Sequence, residues 1–108
     1  MKHIVVVLTE PTEGREAEYN DYYEKLHLDE VLATTLMRSA QRFKLTDQQG
    51  AACPLPYLAL YEVEADDAKD VLTNLNATRA QRVQSDALNR KTAGVWVFSE
   101  IGPRHERD

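Results

Sequence analysis

Cysteine is nearly missing from this chain of 108 residues. Cys53 stands alone, so no internal disulfide can form, and a reducing cytoplasm is the expected compartment. It lies between Ala52 and Pro54 with no base beside it in sequence, which reads as incidental rather than nucleophilic. Glycine is scarce, with four residues and no Gly-rich phosphate loop among them. The three histidines, His3, His27 and His105, lack metal-ligand spacing, and neither His-Glu-x-x-His nor Cys-x-x-Cys occurs, so no metal or cofactor is expected. Bases are outnumbered by acids, 13 to 18, for a net charge of −5. That argues against a nucleic-acid partner, which needs a dense Lys/Arg patch. No apolar run approaches the length of a membrane span, and Met1-Lys2 leads into Ile4–Leu8 without a secretory pattern, so no membrane partner is expected.

What remains is a globular balance, 43% hydrophobic and 29% charged, at a length suited to one domain. Residues 1–103 read as that domain and 104–108 as a charged tail. The period of the apolar residues sets the layout. His3–Thr9 is a β-branched run closed by Glu10-Pro11, as in a strand buried on both faces. From Arg15 to about Ala33 the pattern is helical. Leu36–Leu45 alternates as a second strand, with Ala40, Arg42 and Lys44 on one face and Ser39, Gln41, Phe43 and Leu45 on the other. Asp47–Pro56 is a loop, and Tyr57–Glu64 a third strand. Asp66 is the expected N-cap of a helix with Ala68, Val71, Leu72 and Leu75 inward. The stretch Ala80–Lys91 is ambiguous, and Val95–Ile101 is the last strand, stopped by Gly102-Pro103.

The order β-α-β-β-α-β predicts a ferredoxin-like α+β sandwich, with helices on one face of an antiparallel sheet. The other face of a monomer would be polar. Here Ile4, Val6 and Leu8 oppose Val5 and Val7, and Trp96 and Phe98 oppose Val95 and Val97. Two strands are thus apolar on both sides, and a second copy is the expected cover, pairing sheet to sheet as a homodimeric α+β barrel. The competing cover is the Asp47–Pro56 loop folded across the sheet.

His27 leads the candidate site residues. It lies four residues after Tyr23 and three before Glu30, on one helical stripe, and Glu24 and Glu30 would favour imidazolium. It reads either as a proton shuttle aimed at a pocket or as a cation complementing a helix C-terminus. Tyr19, Tyr22 and Tyr23 form an aromatic stripe, and Tyr57 and Tyr61 share a strand face; only two phenylalanines accompany five tyrosines. They line an amphipathic cleft for a small molecule or straddle a dimer rim. Arg42 anchors a substrate anion or pairs with an acid. Asp86 caps a turn or reaches His27, and Trp96 belongs to the core, the dimer interface or the substrate site.

The stretch Glu18-Tyr-Asn-Asp-Tyr-Tyr-Glu-Lys-Leu-His27-Leu-Asp-Glu-Val-Leu-Ala33, followed by Ser39-Ala-Gln-Arg-Phe43, resembles the EthD-like branch of the dimeric α+β barrel superfamily. Tyr57-Leu-Ala-Leu-Tyr-Glu62, Ser85-Asp-Ala-Leu88 and Glu100-Ile-Gly-Pro-Arg104 extend the resemblance over nearly the whole chain. It implies a homodimer with a pocket between the first helix and the sheet. The superfamily spans cofactor-free monooxygenases, polyketide cyclases, lyases, isomerases and haem-degrading enzymes, so resemblance fixes fold more than activity. The expectation it supports is a cofactor-independent lyase, isomerase or cyclase acting on an aromatic or polyketide-like small molecule. In that scheme His27 is the acid/base and Tyr23 orients it or stabilises an oxyanion. Tyr19, Tyr61, Arg42, Asp86 and Trp96 are its candidate substrate contacts. A non-catalytic ligand-binding module of a catabolic pathway and a cofactor-free monooxygenase are the alternatives.

Overall fold

The computed structural model describes residues 1–108 throughout. Strand β1 (Lys2–Thr9) leads through a turn to α1 (Glu16–Tyr22), a π-helical turn (Tyr23–His27) and α2 (Leu28–Thr34), which run on as one helix. Then follow β2 (Met37–Lys44), β3 (Tyr57–Glu64), α3 (Ala68–Ala77), a short 3₁₀ turn (Arg79–Gln81) and β4 (Gly94–Ser99). Gly14 permits the entry turn, since its φ of 78° is a left-handed conformation that side chains resist.

The sheet order is β2-β3-β1-β4 with every neighbour antiparallel, the ferredoxin-like arrangement expected from the element order. Because pleating alternates side chains, the pairs Val5↔Tyr61 and Val5↔Val97 put those three residues on the helix face. Val7, Ala59 and Val63 join them, and Val31, Leu28 and Val71 close the core from the helices. Ala40, Arg42 and Lys44 share the helix face of β2 as expected, past a register shift between Met37 and Ser39.

Three boundaries differ from the sequence reading. The N-cap of α3 is Asp67, one residue beyond Asp66, and its carboxylate accepts from the Lys69 N–H at 2.9 Å. Strand β4 ends at Ser99, leaving Ile101 fully exposed. His27 lies inside the long helix rather than at its end, so it complements no helix terminus.

The opposite face of the sheet carries Ile4, Val6, Leu8, Leu58, Leu60 and Phe43 alongside Trp96 and Phe98. Residues 46–54 are all exposed, and Phe43, Trp96 and Phe98 remain 45, 44 and 55% exposed, so the loop does not blanket this face. Trp96 therefore lies outside the core, with its indole folded over Gly94, where a Cβ would come within 2.5 Å of the ring. No helix is long and apolar enough to cross a membrane.

Candidate functional site

The first helix lies toward β2 and α3 toward β4, and a cavity of about 250 Å³ opens between them above the helix face of the sheet. Val5, Val7, Tyr61 and Val95 form its floor. Tyr22, Tyr23 and His27 form one wall, and Arg79, Arg82, Leu88 and Arg90 the other.

The π-helical turn decides how His27 is held. In an α-helix His27 would sit over Tyr23, four residues back. The wider turn instead brings it over Tyr22, five residues back, with the rings stacked at 5.0 Å and 25°. Tyr23 meets the imidazole edge-on at 5.0 Å. The Tyr22 hydroxyl donates its proton to the Val83 carbonyl at 2.7 Å, so only a lone pair faces His27 Nδ1 at 2.9 Å. Nδ1 must then carry the hydrogen, and Nε2 keeps a free lone pair. Nε2 makes no hydrogen bond within the protein. Tyr22, which the helical spacing did not single out as His27's partner, is the residue that sets its tautomer. No signal in the sequence marks a π-turn.

The expectation of imidazolium is reversed. Burial, with a further push from the Arg82 guanidinium, lowers the His27 pKa to about 4, so the ring is neutral near pH 7. The Glu30 carboxylate is engaged elsewhere, accepting from the Val83 N–H at 3.0 Å. Glu24 turns outward to Arg42, at 3.4 Å.

This has a consequence for stability. An unfolded histidine titrates near 6.5 while the folded one titrates near 4. Between those values the unfolded chain binds a proton that the folded chain refuses, so stability falls as pH drops through the window. The groups facing the ring are Tyr22 and Tyr23 on its own helix, Tyr61 on β3, and Arg82, Arg79 and Arg90 beyond α3. His27→Asn removes this contribution to the slope, and the pH-dependent difference between the two proteins that accumulates from pH 7 to pH 4 is at most ~3 kcal/mol. Urea denaturation of both across pH 4 to 7 reads it.

The tyrosines divide into two groups. Tyr61 and Tyr23 line the cavity; burial pushes Tyr23 up to about 12 and Tyr61 higher, so both stay protonated donors. The Tyr61 hydroxyl has no partner in the protein, yet no buried side-chain oxygen is left without one, so this hydroxyl opens onto the cavity. Tyr19 and Tyr57 instead hold Arg42. The guanidinium lies 4.6 Å from the Tyr23 ring centre, 5.2 Å from Tyr19 and 5.3 Å from Tyr57, and it donates to Asn20 Oδ1 at 2.7 Å.

Four expected substrate contacts therefore lie elsewhere. Arg42 is locked in that aromatic cage, fastening the helix to the sheet. Tyr19 is fully buried with its hydroxyl on Thr9. Asp86 is exposed and pairs with Arg15 at 2.8 Å, away from an imidazole whose Nδ1 is already taken. Trp96 is on the far face of the sheet. In their place stand Arg79, just past the end of α3, and Arg82 and Arg90, from the Ala80–Lys91 stretch whose pattern is ambiguous in the sequence. No three His, Cys, Asp or Glu side chains converge as a metal site would require.

Comparison with protein families, with curated proteins and with solved structures finds no match to this chain.

Proposed function

We propose that the protein is a cofactor-independent enzyme of the lyase, isomerase or cyclase kind, in which His27 moves a proton on a small carbon acid. The observation that carries this reading is the bare Nε2 of a neutral imidazole at an apolar cavity, with Nδ1–H fixed by Tyr22. In the step proposed, a C–H bond breaks as Nε2 takes the proton, and the electron pair moves onto the adjacent carbonyl oxygen. Tyr61 donates to that oxygen. The imidazolium then returns its proton to another carbon or to the leaving group. The cavity is just below the range common for drug-sized ligands, which favours a single ring over an extended polyketide.

The same reading includes a two-fold dimer through the open sheet face and membership of the EthD-like branch, supported by the motifs of the first helix and β2. Accessible area supports the dimer as well. A monomer of this mass exposes about 6,100 Å², whereas this chain exposes 7520 Å². The excess is larger than the ~800 Å² each partner loses in a standard interface.

The test is hydrogen exchange at carbon, followed by NMR in D₂O on a panel of cyclic 1,3-diketones, enol lactones and 2-oxo acids. The natural chain accelerates exchange of at least one member, and His27→Ala loses about a hundredfold or more. Acceleration of none, or an unimpaired His27→Ala protein, overturns the reading. A non-catalytic ligand carrier is the second reading, favoured by the weak basicity of His27; binding without exchange would establish it.

A further inference from the structure

Arg82 is 8% exposed, with its guanidinium between the ends of α2 and α3. One terminal nitrogen donates to Thr34 Oγ1 at 3.0 Å and Thr78 Oγ1 at 2.8 Å, and the other to the Leu75 carbonyl at 2.9 Å. All three acceptors are neutral, and no carboxylate lies within ion-pair distance. Taking a charge out of water costs several kcal/mol, and buried charges in proteins are accordingly paired. This one is not. Of its five N–H donors, three are used, leaving one on the second terminal nitrogen and one on Nε.

The surroundings repeat the message. Arg79 and Arg90 line the same cavity, and neither forms an ion pair; Arg90 gives one hydrogen bond, to Gln84, at 3.1 Å. No Asp or Glu lines the cavity, in a chain with 18 acids and a net charge of −5. An acidic protein has thus gathered three arginines without an ion pair around one chamber of mixed lining and placed no carboxylate on its wall. Glu30, the acid whose charge reaches Arg82, is engaged by the Val83 N–H.

We infer that the cavity takes a small planar organic anion, its carboxylate or enolate oxygens on Arg82 with Arg79 and Arg90 at the mouth, and its reacting carbon beside His27. The inference rests on the proposed reaction site and names the substrate class for it. A bound anion also strengthens the base. The positive charge of Arg82 is one of the two causes that hold His27 below its ordinary value, so an anion seated on Arg82 offsets that cause and makes Nε2 a better base. The enolate formed by proton removal would lie between imidazolium and guanidinium, where its charge is matched.

The probes are benzoate and its neutral isostere benzamide, measured by calorimetry and by NMR titration of His27. Benzoate binds at least about tenfold more tightly than benzamide, and saturating benzoate raises the His27 pKa measurably. Arg82→Gln abolishes the preference, weakening benzoate far more than benzamide. Because Arg82 also ties α2 to α3, the rim variant Arg79→Gln/Arg90→Gln provides a second measure, with the preference cut about threefold or more. Equal binding of the two probes, no benzoate binding in the millimolar range, or a preference that survives in a folded Arg82→Gln protein overturns the inference. The outcomes separate the two claims. Anion selectivity without carbon exchange removes the proton-transfer reading alone, and His27-dependent exchange with no preference for the anion removes the arginine site alone.

Discussion

If the proposed dimer forms, a chain carrying Trp96→Glu and Phe98→Glu is expected to sediment as a 12.3 kDa monomer at concentrations where the natural chain sediments as twice that mass. Trp96 is paired with Val6, and Phe98 with Ile4, on the sheet face that no helix covers. A two-fold axis duplicates each substitution, so four carboxylates enter one apolar interface. Each charge removed from water costs several kcal/mol, more than the lost apolar contact alone at ~25 cal/mol/Å². The dimer dissociation constant should rise by more than about a thousandfold. Folding should survive, because the altered side chains are exposed in the subunit and the helix-face row of Val5, Val7, Val95 and Val97 is untouched. Sedimentation velocity reads the mass. A natural chain that is itself monomeric at micromolar concentration would remove the proposed barrel. The cavity beside His27 would remain, since it lies between helices and sheet of one subunit.

The fold was legible because two periods dominate the sequence. The alternation of Tyr57, Ala59, Tyr61 and Val63 against Leu58, Leu60 and Glu62 gives β3 its observed limits and its buried face. Val71 is the buried centre of the α3 stripe expected from spacing. Where a boundary moved, a local competitor explains it: Asp66 and Asp67 both offer a carboxylate, and the second has the geometry to reach the Lys69 N–H.

The site was legible only in part. His27 and Tyr61 were placed by spacing and strand face, and both border the cavity. Tyr23, read as orienting His27 or stabilising an oxyanion, does border the cavity and meets the imidazole edge-on. The hydrogen bond at Nδ1 is made with Tyr22 instead, because the helix widens to a π-turn where 3.6 residues per turn was assumed. Arg42 was read on the correct face of β2, but alternation says nothing about which flank of that face holds the cavity. Arg79, Arg82 and Arg90 lie in a connection without period, so no pattern could mark them. Their significance comes from the acids that are missing around them, which is a three-dimensional fact.

Tyr19→Ala should be the most destabilising single change in the aromatic cage, at about 3–5 kcal/mol. The ring is fully buried, meets Tyr23 edge-on at 5.3 Å and Tyr57 at 5.2 Å, and supports the Arg42 guanidinium at 5.2 Å. Truncation leaves a ring-sized void that a sheet on one side and a helix on the other cannot both collapse to fill. It also strips the Thr9 hydroxyl of its partner and takes away one of the three rings around Arg42. Tyr19→Phe keeps the ring and loses only the hydrogen bond, at a cost of about 1 kcal/mol. Urea denaturation at a fixed protein concentration distinguishes the two, the concentration being held because the proposed dimer would make stability depend on it. A Tyr19→Ala protein as stable as Tyr19→Phe would mean that the hydroxyl, and not the packed ring, fastens the first helix to the sheet. The expected ordering has a functional corollary. Tyr19 touches no part of the cavity, so Tyr19→Phe should bind benzoate as the natural chain does. Tyr19→Ala should weaken that binding by releasing Tyr23 from the wall it shares with His27.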